Sequence, residues 1–560
     1  MLIDSTERVD GMPEELVELL QFVKDVLENE RPLTVLEVSG YCDEYGQLIS
    51  NWQKKVAPAG LPVGKMKLDR VDLSDGGLSI NDNVYDNIYN TDYLINIEKI
   101  DDYDVILIFH LLENMVDADA RSLLESLLVK VSKQILVITP IYPYDLNSVS
   151  EDGLSSVRAY HPVFFLGMDY SYRMLNTTGG KLQAYSFFPA MGYTELPCDV
   201  LPEASTESRT LRIAYVLPHQ GLSGGMKALL QQMKELTKKG HSVFAYLRSD
   251  ECDKVIPAWS HLTDDDIADQ IIIPESARYL DYISDVDIII SGWIDQSKEL
   301  SESQIPVVMW EQGSEFFYGE HKKPQYSGTE ERLIIHRLYR MPVHLLAVST
   351  TIKTVLKGVY NRESQFFPNG IDTDFYHPVE QKNNDIPTVL LVGNPYLKFK
   401  GFDFAISLLS AAQKLGLVFN VWWVSQLDFS IKQDSLAIKK FIEPSQQKLA
   451  ELYRNADVFI STSLYESFPL PPIEAMASGT AVIATNSGGI NTYAKPGVNC
   501  LLCEQGDFDS MLFALRHLLL NPEARDSLAA EGRKTALEYS FANVIPVLEQ
   551  CLTRIVNKTG

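Results

Sequence analysis

The second half of the sequence alternates short apolar runs with amphipathic segments, which predicts strands followed by helices. TVLLVGN at 388–394 is predicted to be a buried strand, and 401–416 is predicted to be a helix with an apolar face. That face contains residues at helical spacing, namely Phe402, Ala405, Ile406, Leu409 and Ala412. The alternation continues to about residue 520 through FNVWWVS, DVFISTS and TAVIATN. This βα repeat predicts an α/β fold with a parallel sheet covered by helices on both faces.

A separate series of the same kind begins at RIAYVLP and continues through HSVFAYLR, VDIIISGW and HLLAVS. We therefore predict two doubly wound units, one over 209–380 and one over 386–540. The proline-containing stretch 375–388 is predicted to connect them, although it also suits a surface loop. Residues 541–560 are predicted to form a helix that crosses back to the first of these units, and residues 1–205 form a further region with its own βα pattern.

The amino-acid composition of the chain limits the kinds of molecule that it is expected to bind. The 560 residues include 75 acidic and 49 basic side chains, and the resulting net charge of −26 disfavours nucleic-acid binding. The amino terminus lacks the basic and apolar regions of a signal peptide, and no apolar run of about 18 residues is present to span a bilayer. We expect a cytoplasmic protein without an integral membrane segment, with peripheral membrane association as an alternative. Cys500 and Cys503 lack a second pair or nearby histidines, so strand cysteines are expected rather than zinc ligands.

Two glutamates stand in the otherwise apolar and proline-rich stretch 464–490, LYESFPLPPIEAMASGTAVIATNSGGI. Glu466 follows a predicted strand, whereas Glu474 falls near the start of the next predicted helix, after Pro471 and Pro472. An isolated acid in the first turn commonly compensates the helix dipole. A carboxylate at a strand end and a second one on the next helix can also face a single cleft, where acceptor-only groups suit sugar and ribose hydroxyls.

In this stretch the sequence resembles the retaining glycosyltransferases of family 4, which have the GT-B architecture of two facing Rossmann-like domains. Glu466 and Glu474 match the E-x7-E signature, and FFPNGIDTDFYHP and GLSGGMKALLQQMKELTKKGHSV lie in the family's order. The resemblance covers residues 210–550 and implies a bacterial-type hexosyltransferase. It implies that Glu474 holds the ribose of a nucleotide sugar and that Glu466 acts catalytically at the transferred sugar. A UDP-sugar is favoured over a GDP-sugar, no further cofactor is expected, and the acceptor is a glycan, a glycoconjugate or a protein.

The departing nucleoside diphosphate needs positive charge and amide donors. Lys398 and Lys400 lie between a predicted strand and a predicted helix, and Lys400 matches the lysine of the family's K-G step. Asn394 stands where the family usually has arginine, so Lys398 is expected to substitute for it as a point charge. Gly224 and Gly225 of LSGGMK lie where a helix begins, so their amides can approach an anion.

The remaining candidates for donor binding flank the two glutamates. Ser487, Gly488 and Gly489 form a second glycine loop at a helix start. Phe468 and Leu470 are also assigned to donor binding. Pro469 stands between them where many relatives have glycine, and it removes one amide donor and leaves Leu470 as the backbone contact.

The acceptor side of the predicted cleft has weaker signals. Many relatives carry a histidine where this sequence has Trp310, Glu311 and Gln312, so no histidine base can be transferred by resemblance. His219 and Glu311 are the candidates for this side, and a strand-end histidine that is merely hydrogen-bonded is the alternative for His219. If the departing phosphate takes the acceptor's proton on the same face, as the resemblance implies, no protein base is needed. No metal is expected, because DTD at 372–374 lies in a predicted turn, where capping explains it.

Residues 1–205 resemble a class I S-adenosylmethionine-dependent methyltransferase with a degenerate cofactor loop. YDVILIFHLLEN resembles the family's fourth-strand region. The glycine-rich first loop is replaced by the sequence from Glu37 to Asp43, which places Ser39, Tyr41 and Asp43 where backbone must approach the cofactor. We therefore expect no S-adenosylmethionine binding. Acceptor docking, oligomerisation, binding of an accessory partner and support of the catalytic unit are alternative roles for this region.

Three functional hypotheses remain open from the sequence. The first is a glycosyltransferase with an inactive methyltransferase-like region, and the second is a bifunctional methyltransferase and glycosyltransferase. The third is a non-catalytic GT-B scaffold, against which the presence of Glu466, Glu474 and Lys400 argues. A GT-B epimerase that acts on the nucleotide sugar itself is a related alternative.

Overall fold

The computed structural model describes most of the chain after residue 208 and separate parts before it. The described residues are 34–39, 67–72, 85–89, 101–109, 111–112, 115, 117–140, 162–177, 180–191, 209–260, 262–313, 315–319, 329–382, 384–430 and 436–559. The chain divides into two compact units. Unit 1 comprises Met1–Tyr193 and Glu315–Ile335, and unit 2 comprises Thr194–Ser314 and His336–Gly560. The segment Glu315–Ile335, which the sequence assigns to the 209–380 domain, therefore groups with unit 1.

Unit 1 contains a mostly parallel sheet with the strand order β3-β2-β1-β4-β5-β7-β6. Its elements are β1 (Thr34–Ser39), β2 (Lys67–Asp72), β3 (Asn87–Tyr89), β4 (Tyr103–Phe109), α1 (Asp117–Leu128), β5 (Val131–Pro140), β6 (Tyr170–Thr177) and β7 (Gly180–Phe187). Strand β7 runs antiparallel to both β5 and β6, whereas the other described pairs are parallel. The first five strands thus have the order 3-2-1-4-5 of doubly wound nucleotide-binding sheets.

An aromatic cluster forms part of the core of unit 1. The ring of Phe165 contacts those of Tyr185 and Phe187 edge-on at centroid distances of 4.7 and 4.9 Å. From the segment Glu315–Ile335, Arg332 forms an ion pair with Asp169 and places its guanidinium 4.5 Å from the ring centroid of Phe188. The later segment is therefore attached to the sheet through both charge and cation–π contact.

Unit 2 contains two parallel sheets, and the first defines the middle domain. Its elements are β8 (Arg212–Leu217), α2 (Gly224–Lys238), β9 (Ser242–Arg248), β10 (Asp269–Ile273), β11 (Ile288–Ser291), α3 (Ser297–Leu300), β12 (Val307–Glu311), α4 (Thr329–Tyr339), β13 (His344–Ala347), α5 (Thr350–Tyr360) and β14 (Gln365–Phe366). The residues of α4 up to Ile335 belong to unit 1, and the helix continues into unit 2 from His336. The strand order is β10-β9-β8-β11-β12-β13-β14. Strand β12 is buried along its whole length, as expected for a parallel sheet covered on both faces.

The second sheet of unit 2 defines the C-terminal domain and has the order β17-β16-β15-β18-β19-β20. Its elements are β15 (Thr388–Val392), α6 (Phe402–Lys414), β16 (Asn420–Ser425), β17 (Ile438–Ile442), α7 (Gln446–Asn455), β18 (Val458–Ser461), α8 (Leu470–Ala477), β19 (Ala481–Thr485), β20 (Leu501–Cys503), α9 (Phe508–Leu520), α10 (Pro522–Glu538) and α11 (Phe541–Thr559). Both sheets of unit 2 confirm the α/β fold with parallel sheets that the apolar pattern predicts.

The predicted apolar face of α6 packs against the core of the C-terminal domain. Of the five apolar residues predicted to share that face, four are buried, and Ile406 is partly buried against the same core. Phe402 at the start of the helix packs on Trp423 of β16, with 4.6 Å between the ring centroids. The helix is thereby fixed over the sheet, so the turn that precedes it lies at the carboxyl end of β15.

The last helix, α11, contacts the middle domain although it follows the C-terminal domain in sequence. His241 Nε2 lies 3.0 Å from Glu549 Oε1, and Cys551 Sγ lies 3.4 Å from Gln365 Oε1. Ile371 and Ser540 also form an isolated parallel bridge. Across the described residues, no helix combines the length and the apolar character that crossing a membrane requires.

Candidate active site

Glu466 lies five residues beyond the end of β18, at the carboxyl edge of the C-terminal sheet. Its Oε1 accepts hydrogen bonds from Lys400 Nζ at 2.5 Å and from Ser463 Oγ at 3.0 Å. The two charged side chains are 18% and 16% exposed, so this ion pair is largely shielded from solvent. Lys400 belongs to a 3₁₀ turn, Lys398–Lys400, between β15 and α6. The carboxyl ends of two adjacent strands therefore bring this pair together.

Glu474 lies on α8 and is almost completely buried. Its Oε1 accepts a hydrogen bond from Lys227 Nζ at 2.6 Å, and its Oε2 accepts one from the Tyr453 hydroxyl at 3.0 Å. Helix α8 begins at Leu470, and Pro471 and Pro472 occupy its first turn as the sequence predicts. Since the prolines have no amide hydrogen, Leu470 supplies the first backbone donor of this helix.

Lys227 extends from the first turn of α2 in the middle domain and also donates a hydrogen bond to the Tyr376 hydroxyl at 3.0 Å. Burial opposes the charge of Lys227, but the Glu474 carboxylate outweighs it and raises the pKa of the lysine above its usual value. Burial first, and the nearby Glu474 second, raise the pKa values of Tyr376 and Tyr453. Both tyrosines therefore remain neutral hydroxyl donors at physiological pH.

The backbone around Glu466 is fixed by two close approaches. Glu466 N donates to Ser487 O at 2.9 Å, and Gly489 N donates to Glu466 O at 2.9 Å. From the middle domain, Gly313 reaches Ser467 so closely that an added Cβ would lie 1.5 Å from the serine Oγ. Gly313 also has φ of +96°, a conformation that favours glycine. The loop that carries Glu466 is thus held between the glycine loop of its own domain and a turn of the middle domain.

The same turn begins with Glu311, a buried carboxyl group at the end of β12. Glu311 Oε1 accepts a hydrogen bond from Gly313 N at 2.6 Å, and the Tyr339 hydroxyl donates to Oε2. Burial raises the pKa of Glu311 to about 7, although these two hydrogen bonds favour the ionised form. The next residue, Gln312, donates from Nε2 to Gly225 O at 3.2 Å and so connects the turn to the glycine pair at the start of α2.

A cleft of 670 Å³ lies between the middle and C-terminal domains of unit 2, and its volume is that of a typical ligand site. The predicted site residues that line it are His219, Gly224, Gly225, Glu311, Lys400, Glu466, Phe468, Leu470 and Glu474. Lys227, Asn394 and Gln312 line it as well. Within the described residues, no group of three or more His, Cys, Asp or Glu side chains is arranged to hold a metal ion.

Comparison with known families and proteins finds similarity to glycosyltransferases. The sequence profile of the family described as glycosyl transferases group 1 matches residues 372–535. The MMP alpha-(1->4)-mannosyltransferase of Mycolicibacterium hassiacum is 28% identical over 238 residues, which cover 39% of this chain and 57% of that protein. A D-inositol 3-phosphate glycosyltransferase of Rhodococcus opacus is 36% identical over 102 residues, 18% of this chain and 23% of that protein. The chain thus spans little more than half of the first relative and about a quarter of the second.

Two solved structures are similar in fold. Sucrose-phosphate synthase from Thermosynechococcus elongatus superposes with a TM-score of 0.51 at 18% identity, over 62% of this chain and 100% of that one. HepE from Anabaena, solved in complex with UDP, superposes with a TM-score of 0.50 at 15% identity, over 61% of this chain and 99% of that one. The two Rossmann-like domains of unit 2 form a GT-B fold.

Within this GT-B fold, four predicted site residues lie away from the surface of the cleft. Lys398 is exposed at the start of its 3₁₀ turn and does not line the cleft. Ser487, Gly488 and Gly489 lie behind Glu466 and Ser467, where they support the backbone of that loop. Conversely, Lys227 is a site residue that sequence reasoning missed. Its position in GGMK, one helical turn after an N-cap serine, is the signal that could have identified it.

Proposed function

We propose that this chain is a retaining hexosyltransferase of family 4 that transfers a sugar from a nucleotide sugar to a glycan, glycoconjugate or protein acceptor. The observation that carries the proposal is the pairing of Glu466 with Lys400 beside Glu474, all three facing one cleft of ligand size. Carboxylates can accept hydrogen bonds from sugar and ribose hydroxyls, and a lysine can stabilise the charge of a departing phosphate. The profile match over residues 372–535 includes these three residues and supports the assignment.

UDP-sugars are the proposed donors, and the complex of the fold relative HepE with UDP supports this choice. In the proposed reaction the bond from the anomeric carbon to the β-phosphate oxygen breaks, and the bond to the acceptor oxygen forms on the same face. The departing phosphate takes the acceptor's proton. Lys400 and the Leu470 amide are positioned to act on the donor, while Glu466 contacts the transferred sugar.

The test is donor hydrolysis in the absence of acceptor, with release of UDP or GDP measured for a panel of UDP-sugars and GDP-sugars. A productive donor at 100 times its dissociation constant is expected to stabilise the protein by about 2.7 kcal/mol in thermal unfolding. Binding without any hydrolysis or transfer would favour the scaffold hypothesis. Conversion of the free nucleotide sugar to its epimer would replace the proposal with the epimerase alternative.

We also propose that the transfer needs no metal ion, because a lysine and helix amides can carry the phosphate charge. Turnover is therefore expected to persist after exhaustive treatment with a chelator. Loss of turnover that magnesium or manganese restores would contradict this part of the proposal.

For unit 1 we propose a methyltransferase-like domain that does not bind S-adenosylmethionine. The 3-2-1-4-5 order of its first five strands supports the fold. Glu37, which begins the degenerate motif, is buried and paired with Arg70 and the Tyr85 hydroxyl, so it is engaged inside the sheet. Tyr41 and Asp43 lie outside the described residues. Calorimetry with S-adenosylmethionine on the full chain tests this proposal, and saturable binding with micromolar affinity would favour the bifunctional hypothesis.

A further inference from the structure

The Lys227–Glu474 ion pair joins two domains at the wall of the cleft. Lys227 belongs to the middle domain and Glu474 to the C-terminal domain, and the two charged atoms lie 2.6 Å apart. Tyr376, which lies between the two domains in sequence, accepts a hydrogen bond from the same ammonium group at 3.0 Å. One lysine therefore joins a helix of each domain and the segment that links them.

The backbone of Lys227 is held in place before its side chain makes any contact. Ser223 caps α2, since its Oγ accepts a hydrogen bond from Met226 N at 3.2 Å and its carbonyl accepts one from Lys227 N at 3.0 Å. A capped first turn has little freedom to fray. The lysine thus projects from a fixed point, and its ammonium group has a defined position relative to the cleft.

Glu474 retains the capacity to bind a ligand while it is paired. A carboxylate has about four lone-pair sites, and Lys227 and the Tyr453 hydroxyl each occupy one, on different oxygens. Because Glu474 also lines the cleft, its remaining sites are available to hydroxyl donors there. The two contacts fix the rotation of the carboxylate plane, so the direction in which it accepts further hydrogen bonds is fixed as well.

The pair also lines two cavities. Lys227 and Glu474 line both the main cleft and a neighbouring cavity of 210 Å³, which includes Trp259 and Phe375 among its lining residues. Loss of Lys227 would leave a nearly buried carboxylate without its cation. Such a carboxylate is costly to desolvate further, as a bound nucleotide would require.

We infer that Lys227 is a positioning residue for the nucleotide sugar: it orients Glu474 for the ribose hydroxyls and offsets the charge of that carboxylate against the anionic donor. The inference rests on the proposed function. It places a determinant of donor affinity on the middle domain, outside the domain that carries Glu466 and Glu474. A purely structural ion pair is the competing explanation, and it predicts an effect on stability without a specific effect on donor binding.

The test compares Lys227→Gln, Lys227→Arg, Glu474→Gln and the Lys227→Gln/Glu474→Gln double variant. UDP binding is measured by calorimetry, and KM and kcat are measured for donor hydrolysis. We expect Lys227→Gln to weaken UDP binding and raise KM by about tenfold with kcat changed less than about threefold, because truncating one partner of a shielded charge pair mainly affects binding. Lys227→Arg is expected to recover most of the affinity. Lys234→Gln is the matched control, since Lys234 lies on the same helix and lines only the neighbouring cavity.

The double variant separates the two explanations. If Lys227 acts through Glu474, the effect of Lys227→Gln on UDP affinity is expected to disappear in the Glu474→Gln background. Additive effects, or an unchanged UDP affinity in Lys227→Gln while the wild-type protein binds UDP, would overturn the inference alone. Failure of the wild-type protein to bind UDP or to hydrolyse any nucleotide sugar would overturn the proposed function, and the inference with it.

Discussion

Glu466 and Glu474 are both carboxylates that line the cleft, but their ion-pair partners belong to different domains. Glu466 pairs with Lys400, and both residues belong to the C-terminal domain. Glu474 pairs with Lys227 of the middle domain, 247 residues away in sequence. The first pair is complete within one domain, whereas the second exists only when the two domains are together. Under the proposed function, chemistry at the sugar would depend on one domain, and binding of the ribose would depend on both.

The largest expected effect is that of Glu466→Gln. Loss of one positioned electrostatic partner at a reacting centre reduces turnover by about 100-fold or more. Because Glu466 lies on a loop and is partly exposed, the melting temperature should change little. Donor hydrolysis and thermal unfolding measure the two quantities, and near-normal turnover would remove Glu466 from the mechanism.

Gly313→Ala tests whether the position of the Glu466 loop also depends on the middle domain, which contains Gly313. The added Cβ overlaps Ser467, so the turn or the Glu466 loop must shift. We expect turnover to fall by about 10- to 100-fold, as misplacement of a reacting group by about 1 Å can cause. Gly416→Ala is the matched control. Gly416 also has a positive φ, +82°, but a Cβ added there would meet no atom within 4 Å. If turnover falls equally in both variants, backbone strain at a positive φ, rather than the contact with Ser467, explains the loss.

Glu474→Gln is expected to weaken binding of the donor without slowing the chemical step. Removal of the charge from the proposed ribose ligand should weaken UDP binding by about tenfold and leave kcat nearly unchanged, as loss of uniform binding does. Calorimetry with UDP and donor-hydrolysis kinetics report the two effects. A defect in kcat at unchanged UDP affinity would mean that the two glutamates do not divide the roles in this way.

Glu311→Gln concerns a carboxyl group held by neutral donors, and its effect is expected in the pH dependence of stability. Since the pKa of Glu311 is raised from 4.5 to about 7, the folded protein binds this proton more tightly than the unfolded chain. The contribution of Glu311 to stability is therefore present at acidic pH, falls as pH rises from about 4.5 to 7 and stays constant above, by at most about 3 kcal/mol. The melting temperature of the variant relative to wild type should rise between pH 5 and pH 8. A pH-independent difference would contradict the buried-carboxyl assignment.

Much of the fold follows from local patterns in the sequence. The alternation of apolar strands with amphipathic helices identifies the α/β class because burial on both sheet faces requires it. Glu466, Glu474 and Lys400 are predictable because their positions are fixed by the end of β18, the start of α8 and the turn between β15 and α6, respectively. The GGMK pattern can place Lys227 at a helix start, but it cannot identify Glu474 as its partner, because that residue is remote in sequence and only the packing of two domains brings the two together.

Lys398 illustrates the opposite error of local reasoning. The sequence assigns Lys400 to the phosphate through its match to the family's K-G step, and Lys398 as a substitute for the family's arginine. The structure forms a 3₁₀ turn over Lys398–Lys400, in which residues two apart point about 240° apart around the axis. Lys400 therefore faces Glu466 while Lys398 faces solvent. Sequence distance predicts proximity, but the type of turn determines which side chain enters the cleft.

The segment Glu315–Ile335 determines where the chain can be cut to separate unit 2 from unit 1. The chain leaves unit 1 after Tyr193, returns at Glu315 and leaves again after Ile335, so three covalent junctions connect the units. A domain attached only at the amino-terminal side of unit 2 would have one junction. Cutting the chain once near residue 205 would also leave Arg332 without Asp169 and the Phe188 ring. A shortened enzyme should therefore replace residues 315–335 with a short linker as well as remove the residues before 205.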